Sequence, residues 1–128
     1  MKLLLDTCTF LWLTKGSEEL SSEAVEAFTD PKNEVYLSSV SAWEINVKYR
    51  LGKLPLPLSP DKFIPKERKR HIIAKLDLSE QDTFHYFKLP MHHKDPFDRM
   101  LVCQAIEHSL TILTPDPLVT QYPIRSLW

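Results

Sequence analysis

Short apolar runs that alternate with longer amphipathic stretches predict an α/β domain built on a mainly parallel sheet. Three observations carry that expectation. The runs Lys2–Leu5, Val35–Leu37 and Thr111–Thr114 are too short for helices and consist largely of Leu, Val, Ile and Thr. The stretches between them show helical spacing with recognisable starts and stops. The chain of 128 residues has the length of one domain and no internal repeat, so residues 1–128 read as a single unit.

The elements follow in order. Lys2–Leu5 reads as a buried strand, and Thr7–Thr14 as a helix with Phe10, Leu11 and Leu13 apolar. Ser21–Thr29 reads as a helix with Ala24, Val25 and Phe28 inward, and Val35–Leu37 as the second strand. Ser39–Leu51 begins with serines, carries Val40, Trp43, Val47 and Leu51 at helical spacing, and stops at Gly52. The proline-rich run Leu54–Pro60 is a stiff connector inside the domain. Pro60–Arg70 reads as a helix with a basic face, Lys75–Leu78 as a short strand, and Ser79–Lys88 as a helix capped by Ser79. Pro96–His108 is predicted helical, with Asp95 as N-cap and proline in the first position. Thr111–Thr114 and Ile124–Leu127 complete the strands.

Composition excludes several functional classes. With 43% hydrophobic and 26% charged residues the chain is neither disordered nor collagen-like. Two glycines cannot build a phosphate-cradling glycine loop. Cys8 and Cys103 form no Cys-x-x-Cys pair and no disulfide framework, which suits a reducing compartment. Asp6 interrupts the apolar start and no stretch reaches the roughly 20 apolar residues of a membrane span, so a cytoplasmic protein is expected. The net charge of −1 is too low for binding nucleic acid by bulk charge. Its distribution is uneven: residues 48–75 carry nine basic and two acidic side chains, between acidic flanks.

In a parallel sheet, ligands bind at the carboxyl ends of the strands. Asp6 directly follows the first strand, and Asp116 lies two residues after Thr111–Thr114. Glu44 and Asp98 lie early in helices that start from the same edge. The topology therefore sends four carboxylates, distant in sequence, to one rim. Such a group repels itself and needs a neutralising partner. Oxygen ligands favour Mg²⁺ or Mn²⁺ over zinc, and carboxylate-bound Mg²⁺ with open water positions is suited to attack on a phosphodiester.

Each acid also has a purely structural reading. Glu44 stands three residues after Ser41, the spacing of a capping box, and four before Lys48, a helical ion pair. Asp98 stands in the same relation to Asp95, and Asp116, between Pro115 and Pro117, suits a turn. Asp6 is the least ordinary, because an acid that ends a buried strand is costly without a partner. No nucleophile elbow for a Ser/His/Asp triad is present. His92 and His93 read as solvated loop residues or minor aids to substrate binding; His71, His85 and His108 read as surface or core residues.

The segments Leu3-Leu4-Leu5-Asp6-Thr7, Ser38-Ser39-Val40-Ser41-Ala42-Trp43-Glu44-Ile45, His93-Lys94-Asp95-Pro96-Phe97-Asp98-Arg99-Met100-Leu101 and Leu113-Thr114-Pro115-Asp116 carry a family resemblance. The chain resembles the PIN-domain ribonucleases, in particular the VapC-type toxins of type II toxin–antitoxin systems. The resemblance implies a PIN-like three-layer α/β domain, with a mainly parallel sheet of four or five short strands flanked by helices, and metal-dependent endoribonuclease activity with Mg²⁺, or Mn²⁺, as cofactor. It places the acidic site on Asp6, Glu44, Asp98 and Asp116. Asp98 is preferred over Asp95 because Asp98-x-x-Leu101-x-x-x-Ala105 matches the family's acid-led helix. Asp95, Thr7 and Thr114 are possible accessory residues, and Pro115 departs from the small residue more common there. Lys48, Arg50, Lys66, Arg68, Lys69 and Arg70 are candidate contacts to the RNA backbone; as a set they are equally a solvated helix face. A homodimer and a small VapB-like antitoxin are the implied partners, with Phe10, Leu11 and Trp12 either part of the core or an apolar surface for that antitoxin. Two alternatives stand beside this reading: a PIN nuclease of RNA processing without an antitoxin, and a catalytically silent PIN-fold interaction module.

Overall fold

The structure, a computed structural model, describes residues 1–128. Strands β1 (Lys2–Leu5), β2 (Glu34–Ser38), β3 (Ala74–Leu76), β4 (Thr111–Leu113) and β5 (Arg125–Leu127) form one sheet in the order β3-β2-β1-β4-β5. Every pairing is parallel, with Leu3 opposite both Val35 and Thr111. The helices are α1 (Thr7–Lys15), α2 (Ser22–Thr29), α3 (Ser39–Arg50), α4 (Pro60–Arg70), α5 (Glu80–Thr83), α6 (Pro96–His108) and α7 (Pro117–Thr120).

The two-residue period of the strands explains the three layers. In β1, Leu3 and Leu5 enter one apolar cluster with Phe10, Ala24, Ile45, Phe63 and Ile64. Leu4 enters the other with Leu101, Val102, Ala105, Val119 and Tyr122. A central strand buried on both faces is apolar throughout, as expected for a parallel sheet. Helices α1 to α4 cover one face and α6 with α7 the other. The chain leaves β1 toward β2 and β3 on one side, then crosses to β4 and β5 on the other. The direction of winding changes at β1, and the crevice of such a sheet opens at the carboxyl end of that strand.

Three elements depart from expectation. Residues 79–88 are not one helix: α5 is followed by a 3₁₀ turn at Tyr86–Lys88. Side chains govern this segment. Asp82 bonds to Gln104 Nε2 and His108 Nε2, and His85 bonds to Glu107. These links pin the segment to α6, and the backbone closes in tighter i→i+3 turns, Lys88 N–H to His85 C=O and Leu89 N–H to Tyr86 C=O. In α3 the inward face is Val40, Ser41, Glu44 and Ile45; Trp43 is 58% exposed, Leu51 follows the helix and is exposed, and only Val47 of the expected stripe beyond Val40 is partly covered. Trp43 instead packs edge-on against Phe97, 4.8 Å between ring centroids. Phe10, taken as possible partner surface, is wholly buried, whereas Leu11 and Trp12 are half-buried and Trp12 packs on Trp128.

Asp82 is fully buried and completes a capping box with Ser79. Burial opposes its charge, but the Ser79 backbone, Gln104, the Ser79 hydroxyl and His108 together hold its carboxyl below the usual range. Asp82→Ala leaves Gln104 Nε2 and His108 Nε2 without their acceptor and removes the carboxylate half of the capping box. It is expected to cost about 2–4 kcal/mol in urea unfolding, whereas a loss within about 0.5 kcal/mol, the range of an ordinary surface substitution, is the contrary result.

Candidate active site

Asp6 ends β1 and caps α1. Its Oδ1 accepts the Thr9 backbone N–H at 2.7 Å, and its Oδ2 accepts the hydroxyl of Thr114, at the end of β4. The Thr114 oxygen accepts in turn from the Asp116 backbone N–H at 3.1 Å, and Thr9 Oγ1 donates to the Leu113 carbonyl at 2.8 Å. The ends of β1 and β4 are thereby laced together around a carboxylate that is 5% exposed. Burial raises the Asp6 pKa, the bonds from Thr114 and Thr9 oppose that rise, and Asp116 adds to it.

Glu44 is 4% exposed, one turn into α3. The N-cap of that helix is Ser38, whose hydroxyl accepts the Val40 N–H, so the Ser41–Glu44 capping box does not form. Ser41 faces inward instead, 3.0 Å from the Thr7 hydroxyl, which donates to Glu44 Oε1 at 2.7 Å. The other carboxylate oxygen accepts from Lys48 at 2.5 Å, the expected i,i+4 pair. Burial works against the Lys48 charge, yet the Glu44 hydrogen bond and attraction hold its pKa above the ordinary value.

Asp95 is the N-cap of α6; its Oδ1 accepts the backbone N–H groups of Phe97 and Asp98 at 2.9 and 3.3 Å. Asp98 makes no reciprocal capping bond. Its Oδ2 lies 3.3 Å from His93 Nε2. Its pKa is pushed up to about 7, by burial first and then by Asp95, Glu44, Asp6 and Asp116. All the other acids therefore act on Asp98 as one electrostatic neighbourhood. Asp116 caps α7 through the Leu118 N–H at 2.9 Å, so it is both a turn residue and a member of the rim. Cys8 shares the rim, but burial and the charges of Asp6 and Glu44 push its thiol up to about 11, which removes it as a nucleophile.

The fold brings Asp6, Thr7, Glu44, Lys48, Asp95, Asp98, Thr114 and Asp116 to one edge. It sets Lys66, Arg68, Lys69 and Arg70 apart, in the last turns of α4. Arg70 lines a cavity of about 390 Å³ with Asn33 and Val35, at the amino edge of the sheet. His93, expected in solvent, has a largely buried side chain tied to Asp98 and Tyr122. Its proximity to Asp95 in sequence was the available signal; Tyr122, far along the chain, gave none.

The carboxylates are at present engaged by the protein's own donors, and no three Asp, Glu, His or Cys side chains converge as a preformed cation cage. The donor set nevertheless fits a hard divalent cation. It offers oxygen ligands alone, and its mutual repulsion, read out at Asp98, is what a cation relieves.

An α/β domain wound to both sides of a central strand, with an acidic rim at that strand's carboxyl end, is the class of architecture the site defines. The PIN domain family model matches residues 3–122, and the chain belongs to that family. It is similar to Ribonuclease VapC16 of Mycobacterium tuberculosis, 39% identical over 56 residues, a match spanning 44% of this chain and 40% of that protein. Among solved structures, VapBC2 from Rickettsia felis bound to a promoter DNA fragment superposes with a TM-score of 0.72 at 17% identity, covering 98% of this chain and 97% of that one. DNA-bound VapBC from Salmonella typhimurium gives 0.68 at 20% identity, covering 98% and 96%. At these identities the superpositions show a shared fold.

The raised Asp98 pKa sets a pH dependence. Below about pH 4, Asp98 is protonated in folded and unfolded chains alike. As pH climbs toward 7 the unfolded carboxyl ionises while the folded one resists, so this group's contribution to stability is lost across that window. Asp98→Asn is expected to flatten the metal-free stability profile between about pH 4 and 7 by roughly 2–4 kcal/mol relative to wild type. Asp95→Asn, which keeps the cap, is expected to stay within about 0.5 kcal/mol of wild type at pH 7. Urea melts at the two pH extremes measure both; parallel profiles for wild type and Asp98→Asn contradict the assignment.

Proposed function

We propose that this protein is a Mg²⁺- or Mn²⁺-dependent endoribonuclease and the toxin of a toxin–antitoxin pair. The observation that carries this reading is the meeting of Asp6, Glu44, Asp98 and Asp116 on one rim, where Asp98 registers the charge of the other three. Membership of the PIN family and the partial similarity to a VapC ribonuclease support the substrate class.

Asp6, Asp98 and Asp116 would hold the cation, and Glu44 a second ion or the attacking water. When bound, the cation supplies an activated water and neutralises charge on the phosphate oxygens. The chain's own groups prepare the site. Thr114 and the Thr9 N–H fix Asp6, and Thr7 fixes one oxygen of Glu44. Lys48, roughly half exposed, keeps its charge beside Glu44 and can receive a phosphate oxygen of the RNA. Arg50 and the α4 cluster Lys66, Arg68, Lys69 and Arg70 supply sequence-independent attraction to more distant phosphates. A VapB-like antitoxin would silence the site by presenting a basic residue to the acids. Half-buried Leu11 and Trp12 remain as apolar surface near the N-terminus for it. A homodimer in the cytoplasm completes the proposal; no helix of the chain is long and apolar enough to cross a membrane.

Asp6→Asn keeps the shape of the side chain and removes its charge. It is expected to abolish Mg²⁺-dependent RNA cleavage and to restore growth to cells expressing the protein alone. Wild type should gain about 2.7 kcal/mol at a Mg²⁺ concentration of 100 Kd, and the variant little. Equal toxicity at equal protein level would place the toxicity elsewhere. Replacing Lys66, Arg68, Lys69 and Arg70 by Ala should flatten the salt dependence of long-RNA binding. It should leave cleavage of a short oligonucleotide unchanged, because the cluster lies at the opposite edge. An unchanged salt slope means those residues form a solvated face.

A further inference from the structure

Asp98 differs from Asp6 and Glu44 in what holds it. Hydroxyl groups of Thr114 and Thr7 serve Asp6 and Glu44, whereas the one side chain bonded to Asp98 is an imidazole, His93. His93 itself is held from behind. Its Nδ1 lies 2.8 Å from the Tyr122 hydroxyl, and Arg99 Nη1 lies 2.9 Å from that same hydroxyl. Arg99 is buried in α6. It donates also to the Pro90 and His93 carbonyls at 2.9 and 3.4 Å, and its guanidinium lies over the Tyr86 ring at 4.7 Å. It thus clamps the loop that carries His93, and no carboxylate pairs with it.

Proton counting and distance together favour one direction for this chain. A guanidinium can only donate, so the Tyr122 oxygen accepts from Arg99. The hydroxyl has one proton and two acceptors in reach, His93 Nδ1 at 2.8 Å and the His93 carbonyl at 3.5 Å, and the ring nitrogen makes the shorter contact. His93 Nδ1 then receives, and the imidazole proton sits on Nε2, where it points to Asp98 Oδ2 at 3.3 Å. The sequence Arg99 to Tyr122 to His93 to Asp98 is donor to acceptor at every step, with a buried cation at one end and a carboxylate at the other.

We propose that His93 is a positioning residue for Asp98. Tyr122 and Arg99 fix its tautomer, and its Nε2–H holds one carboxylate oxygen so that the other is free for a divalent cation. This rests on the reading of Asp98 as a metal ligand. Outer-shell donors of this kind set the orientation and basicity of the ligand they touch. A purely structural tie between the loop and Tyr122 would not depend on which ring nitrogen carries the proton.

The test joins a spectroscopic and a binding measurement on the full chain. Long-range ¹H–¹⁵N spectra of the metal-free protein, at about pH 8 where an ordinary imidazole is neutral, should show His93 protonated at Nε2. Tyr122→Phe should lose that single tautomer. Calorimetric titration with Mn²⁺ should show His93→Phe binding about 10- to 100-fold more weakly, with kcat reduced and the KM for RNA unchanged. His93→Gln, which returns an N–H donor near the position of Nε2, should recover most of the affinity. An Nδ1–H tautomer, or unaltered Mn²⁺ affinity in a folded His93→Phe, overturns the proposal. If His93→Phe does not fold, Tyr122→Phe decides: scrambled tautomers with unaltered Mn²⁺ affinity overturn it equally. Absence of Mn²⁺ binding by wild type sinks the metal-site reading itself, and the positioning role with it, even where the Nε2–H tautomer is seen.

Discussion

The hydrogen bond from Thr114 to Asp6 is the constraint on which the rest of the site depends. It joins the carboxyl ends of the two strands between which the winding of the sheet reverses. A carboxylate buried there would be expelled or neutralised without donors. Thr114 and the first turn of α1 provide them, and the Thr114 oxygen then reaches the Asp116 backbone. One hydroxyl therefore sets both the closure of the crevice and the spacing of two acids on its rim.

Around that bond the fold manages charge by unequal means. Glu44 has a lysine beside it and carries an ordinary helical ion pair into a buried position. Asp98 has no cation in contact, and its pKa climbs to about 7 as burial and four neighbouring acids bear on it. The only buried arginine spends its donors on carbonyls and a tyrosine. It meets the rim only through Tyr122 and His93. The rim is left with one acid that is only partly ionised near pH 7, so that a cation bound there would be coupled to its ionisation.

Much of this was legible in the sequence. Short runs of three or four residues, most of them apolar, and helix-start signals located all five strands and the principal helices, because those signals are local. The four acids were found by topology: each follows a strand or begins a helix at the same edge. What escaped depended on contacts across the chain. Ser79–Lys88 looked like one helix because its partners, Gln104, Glu107 and His108, act from another element. Trp43 was placed inward on helical spacing, but the α3 face that meets α1 is chosen by Ser41 and Glu44, whose polar contacts to Thr7 outrank an aromatic face that Phe97 can shelter. His93 looked solvated because the tyrosine that holds it lies 29 residues away.

The pairing of the first strand with the fourth has a consequence for how the molecule is made. Leu3 is opposite Thr111, and Asp6 receives its donor from a residue 108 positions further on. A chain emerging from the ribosome can pair β1 with β2, and then β2 with β3, long before β4 exists. During that interval Asp6 lacks Thr114, Asp98 has not been joined to the rim, and the crevice has one wall. Such non-local closure is slow. A chain cut short before residue 111 has no second wall at all. The acidic edge is thus a property of the finished polypeptide, and fragments left by interrupted translation lack it.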